Sequence, residues 1–250
     1  MTVLYCVARI DGPAALPSGG LPEAEAARAL DLPGGLTAIV ATVPDALYAP
    51  DIVNAKLRDM DWVSSAALGH ERLLEAVMRT ASAVLPMKLL TLFSGDARLL
   101  QDLSKQRRAL AKAATQVEGC EEYGLRIVAL DGPAPAAAGE RPASGTEFLA
   151  RKKQARDEAR AQAARRAAFA REAYDALAGA SRAALMRPLQ GDEAERPLAD
   201  AAFLVAADQK TAFGRAAAAL ETRAAGEHCL FKLTGPWPPY HFVETPHAAS

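Results

Sequence analysis

No part of this 250-residue sequence approaches the roughly 20 consecutive apolar residues that a membrane-crossing helix needs. The opening residues, Met1-Thr2-Val3-Leu4-Tyr5-Cys6, carry no basic leader and meet Asp11-Gly12 too early for a secretory signal. Cysteine is scarce. Cys6, Cys120 and Cys229 form an odd set with no C-x-x-C pair, which argues against a zinc ribbon or a disulfide framework and reads as free thiols in a reducing cytoplasm. Neither sign of charge is in excess: 29 basic residues face 30 acidic ones, so nothing draws the chain as a whole to nucleic acid or to an anionic membrane. With 17 glycines and 16 prolines the chain is not grossly disordered.

The usual signatures of catalysis are also missing. There is no G-x-x-x-x-G-K-[ST], no G-x-G-x-x-G between a strand and a helix, no H-E-x-x-H and no G-x-S-x-G. His70-Glu71 comes nearest to a zinc motif, but residue 74 is leucine, and His70 shares the apolar stripe of its helix with Leu74 and Val77. A packed histidine is the plainer reading. His228 and Cys229 are adjacent on an expected strand and point to opposite faces. Glu121-Glu122 and Asp192-Glu193 sit beside turns, where solvated charge is expected, and His241 and His247 lie in the tail. No catalytic, cofactor-binding or metal-binding residue is assigned, and no cofactor is expected.

What is present is a mixture of short strands and helices. Strands are expected over 3–10, 36–43, 84–93, 124–130, 182–187, 201–207 and 228–233. Helices are expected over 64–83, from about 96 to 118, 146–178 and 209–225. The stretch up to Gly35 reads as flexible. Pro133 to Ser144 is the best linker. The expected organisation is α+β in two domains, 1–132 and 146–250 around a linker at 133–145. Each would be a small, mostly antiparallel sheet packed with helices, broadly ferredoxin-like.

Two stretches stand out. The helix after the linker is basic, and Arg151, Lys153, Arg156 and Arg160 are candidate contacts for an acidic partner, although a solvated face explains most of the charge. The run Gly235-Pro236-Trp237-Pro238-Pro239-Tyr240 removes three backbone donors, so it cannot continue a central strand. It holds two aromatic rings on a stiff path, either as a cap over the sheet end or as a patch that receives a partner. One ring can pack inward while the other faces out.

Four stretches, in order, resemble the gas vesicle protein L/F family. They are Asp61-Trp62-Val63 through His70-Glu71-Arg72, Val84-Leu85-Pro86-Met87-Lys88, Gly145-Thr146-Glu147-Phe148-Leu149-Ala150-Arg151-Lys152-Lys153, and Leu233-Thr234-Gly235-Pro236-Trp237-Pro238-Pro239-Tyr240-His241-Phe242-Val243. The resemblance spans about residues 3 to 243. It departs from the family pattern after the proline strand, where a basic residue and Phe-Gly are usual and this chain has Lys88-Leu89-Leu90. The resemblance implies a non-enzymatic, two-domain accessory protein of gas vesicle assembly, found in the cytoplasm and at the gas vesicle. Its expected partners are the hydrophobic major shell protein and other accessory proteins, with no nucleic acid or membrane partner. A small-molecule-binding or enzymatic ferredoxin-like domain is the alternative, with a polar pocket around His70 as its mark.

Overall fold

The structure is a computed structural model and describes residues 1–10, 16, 19–130, 144–189 and 197–243. The described chain divides into two compact units. One is Met1–Glu122 together with the segment from Pro236, and the other is Tyr123–Gly235. The domains expected from the sequence are 1–132 and 146–250, whereas the compact units divide after Glu122 and again after Gly235. Residues 133–143 of the expected linker lie outside the described residues, while Ser144 caps a helix that begins at Gly145.

In the first unit, β1 (Thr2–Ile10) is buried without interruption from Val3 to Ala8. Such a continuous apolar run suits a strand covered on both faces. It lies between β3 (Leu36–Thr42) and β4 (Ala81–Pro86), both antiparallel to it, with β2 (Arg28–Leu32) outside β3 and β5 (Leu92–Phe93) also pairing with β1. The expected single strand over 84–93 is therefore two strands, broken by a turn in which the Thr91 N–H and hydroxyl both donate to the Lys88 carbonyl. β2 falls in the stretch read as flexible.

Two short helices, α1 (Asp45–Tyr48) and α2 (Pro50–Lys56), precede α3 (Met60–Met78). α3 starts four residues earlier than expected, because the Asp59 carboxylate accepts the Asp61 and Trp62 N–H groups at 3.0 and 3.3 Å. Trp62 thus lies inside the helix. Its buried stripe is Ala66, His70, Leu73, Leu74 and Val77. The next expected helix is also two: α4 (Asp96–Lys105) and α5 (Arg107–Val117), which bury Leu99, Leu103, Leu110 and Val117. Gly119, at φ 64°, makes the turn into β6 (Cys120–Ala129).

The second unit follows the order β-α-β-β-α-β: β6, α6 (Gly145–Gly179), β7 (Ala183–Met186), β8 (Pro197–Ala206), α7 (Lys210–Ala224) and β9 (Cys229–Trp237). The sheet order is β7-β8-β6-β9, which leaves β9 at an edge. Phe169, Ala173 and Leu177 of α6 and Phe213 and Leu220 of α7 pack against Leu125, Ile127, Phe203 and Phe231 of the sheet. All the buried residues of the 35-residue α6 lie from Arg166 onward, so the half before it is mostly exposed. Two sheet-and-helix units are thus present, as expected.

Candidate partner-binding site

Pro236 brings the chain end back into the first unit, where three of the four sequence stretches meet. Tyr240 packs on the apolar cluster around Val3, Tyr5, Cys6 and Leu74, and its hydroxyl donates to Glu71 Oε1 at 2.7 Å. Burial and the facing Glu71 carboxylate hold the Tyr240 phenol well above its ordinary pKa, so it stays a donor. One residue on, the His241 N–H donates to Glu122 Oε2 at 2.8 Å, and His241 Nδ1 lies 2.5 Å from Glu122 Oε1. The neighbouring His70 is 2% exposed, with Nε2 at 3.2 Å from the Met87 carbonyl and its ring centroid 5.5 Å from that of Tyr5. Desolvation lowers its pKa to about 4, against a smaller opposing effect of the Met87 carbonyl. His70 is therefore neutral at physiological pH and ties α3 to Met87, the residue that follows β4. The packed reading of this histidine fits its surroundings.

The tail does not follow an extended path throughout. After Pro239 it turns, with Tyr240 N–H to the Pro238 carbonyl at 2.7 Å and Phe242 N–H to the Pro239 carbonyl at 3.2 Å. β9 runs on through Pro236 to Trp237, which an edge strand tolerates because no neighbour needs the missing donor. The two rings part company: Tyr240 is partly buried, whereas Trp237 is 39% exposed. Gly235, at φ 122°, takes a backbone conformation that a side chain rarely adopts.

Sequence reasoning missed the acidic partners of the tail. Glu122, read as solvated charge, is 3% exposed and holds His241. The strand expected over 124–130 leaves Glu122 outside it, whereas β6 starts at Cys120, and a partner 119 residues away carries no local signature. Asp192, Glu193 and His247 lie outside the described residues.

The basic candidates lie on the exposed half of α6. Arg151, Lys153, Arg156 and Arg160 are all exposed, but the basic field is partly answered within the helix. Arg151 pairs with Glu147 at 2.5 Å, and Arg156 lies 3.8 Å from Asp157. Arg166, further along the same helix, is 8% exposed, and its guanidinium donates to the carbonyls of Leu130 and Glu227.

The first unit also holds an open cleft of about 280 Å³, lined by Gly19, Gly20, Pro22, Ser65, Leu68 and Arg72 among others. His70 is not among its lining residues. Among the described residues no group of three His, Cys, Asp or Glu side chains could hold a metal ion, and no helix is long and apolar enough to cross a membrane.

A family model described as gas vesicle synthesis protein GvpL/GvpF matches residues 1–244. Gas vesicle protein L of Streptomyces sp. strain CB03234 is 28% identical over 219 residues, covering 84% of this chain and 80% of that protein. Gas vesicle protein L2 of Halobacterium salinarum is 28% identical over 208 residues, covering 74% and 73%. Two crystal structures share the fold. GvpF from Anabaena sp. PCC7120 superimposes with a TM-score of 0.67 at 17% identity, covering 100% of this chain and 98% of the other. GvpF from Microcystis aeruginosa gives 0.68 at 16% identity, covering 98% and 99%.

Proposed function

The chain belongs to the gas vesicle synthesis protein GvpL/GvpF family, and we propose that it binds the hydrophobic major shell protein during nucleation or growth of the vesicle. Membership makes it an accessory protein of gas vesicles rather than an enzyme, one that works among other gas vesicle proteins. The finer reading is ours: the chain acts in the cytoplasm and at the vesicle, and the shell subunit is its first partner, with other accessory proteins as further ones. The ferredoxin-like reading of the second unit belongs here too, supported by its β-α-β-β-α-β order.

The observation that carries the proposal is the division of labour between the two tail rings. Tyr240 is anchored inside the first unit, so Trp237 is held at a fixed place with 39% of its surface exposed. A small hydrophobic shell subunit exposes apolar surface that would otherwise self-associate. A soluble partner that covers part of that surface lowers the concentration of free subunit by mass action. A rigid, half-exposed tryptophan is a suitable anchor for such a contact. Gly235, Pro236, Pro238 and Pro239 set its position, and Arg151, Lys153, Arg156 and Arg160 offer a second surface for acidic groups.

The test is capture of the major shell protein by the purified chain and by Trp237→Ala. Capture by the parent, with at least about a tenfold loss in the variant and an unchanged melting temperature, supports the reading. Equal capture by both removes Trp237 from the contact. Capture of other accessory proteins but not the shell protein turns the chain into a scaffold acting at one remove.

A further inference from the structure

The solvent side of α6 carries a charge order that complements itself when read in reverse. At 100° per residue, Lys153, Asp157, Ala164, Arg171 and Asp175 lie within about 40° of one another, on the side opposite Arg166, Ala173 and Leu177. All five are exposed, whereas the other three are buried against the second unit. Shallow grooves follow this side, one lined by Ala150, Lys153, Asp157 and Ala161, the next by Ala164, Ala168, Arg171 and Asp175.

When a second α6 is laid antiparallel on this side with Ala164 on a twofold axis, Lys153 faces Asp175 and Asp157 faces Arg171. The symmetry then makes each pair twice. Laid parallel and in register, every charge would meet its own kind. Between the charges lie the small Ala161, Ala164 and Ala168, together with Arg160, which faces Ala168 of the second copy. The half of α6 before Arg166 also needs support, because a largely polar helix without tertiary packing is marginal in water.

We propose that the chain forms a twofold dimer by antiparallel pairing of α6, the occupant of this helix face being a second copy of the same chain. The interface is isologous and closes at two subunits. Its ion pairs make it weaken as salt rises. It does not rest on the shell-binding reading, whose anchor is Trp237, although Lys153 belongs to both surfaces; the readout here is oligomeric state, not capture of the shell protein.

Sedimentation of the full chain up to about 100 µM tests it. The expected result is a monomer–dimer equilibrium that loosens at high salt. Lys153→Asp combined with Asp157→Lys sets like charges opposite each other and should leave a monomer with unchanged helix content. Adding Arg171→Asp and Asp175→Lys restores complementarity and should restore the dimer. A parent that stays monomeric over the whole range overturns the proposal. So does a dimer indifferent to the first pair of changes, or one that the four changes together do not bring back.

Discussion

Leu90 sits at φ 64°, a left-handed conformation that is costly for a side chain with a Cβ and free for glycine. The turn between β4 and β5 is thus kept with a strained residue. The leucine side chain recovers part of the cost by packing against the first unit's core. Leu90→Ala loses that packing and keeps the strain, whereas Leu90→Gly loses the packing and the strain together. At an ordinary position glycine is the less stable of the two, but here it should be more stable than alanine by about 1 kcal/mol. Urea midpoints of the two variants settle the order. His70 supplies a second test at this scale. Its folded pKa of about 4 lies below the ordinary 6.5, so between those values the unfolded chain binds a proton that the folded chain refuses. Its contribution is complete above about pH 6.5 and is lost as pH falls toward 4, by up to about 3 kcal/mol. His70→Gln should flatten that part of the stability–pH curve, and an unchanged slope would place the titration elsewhere.

Helix α3 shows how an element takes its place from a neighbour rather than from its own propensity. A Cβ added at Gly69 would lie 1.9 Å from the carbonyl oxygen of Gly20, so the helix meets backbone there. Exchanging a mid-helix glycine for alanine normally adds about 1 kcal/mol of stability. Gly69→Ala should instead lose at least about 2 kcal/mol, because either the Gly20 segment or the helix must shift to admit the methyl group; a stabilised variant would show that the Gly20 segment moves away at little cost. The same dependence on neighbours explains which elements could be read in the sequence. β1 and β3 were legible because burial on both faces leaves a continuous apolar run. β2 was not, since Arg28-Ala29-Leu30-Asp31-Leu32 is short, half-exposed and preceded by Pro and Gly. The break at Gln106 has no glycine or proline to announce it. In the site, Trp237 and Tyr240 stood out by composition, but Glu71 and Glu122 did not, because they acquire their roles from a chain end 169 and 119 residues away.

The two ends of the chain build one unit, and that is a property of the whole molecule. Everything in the second unit's core, from Leu125 to Phe231, lies between Tyr123 and Gly235. The first unit, by contrast, needs Tyr240 against its core, and Val243 of the same tail is buried. A chain cut after Gly235 therefore loses part of the first unit and, from the second unit's sheet, only the last two residues of edge strand β9. It leaves Glu71 without the Tyr240 hydroxyl and Glu122, with its side chain 5% exposed, without His241. A hydrogen bond to a charged group contributes about 1.5–3 kcal/mol, and carboxylates left buried without partners are costly. Calorimetry of the shortened chain should show the second unit melting where it did before and the first unit melting earlier. A synthetic peptide of residues 236–250 should raise the earlier transition as its concentration rises, by ordinary linkage. Should both transitions fall together, the second unit would owe its stability to the tail as well. Should neither move, the contacts of Tyr240 and His241 would be incidental to the fold.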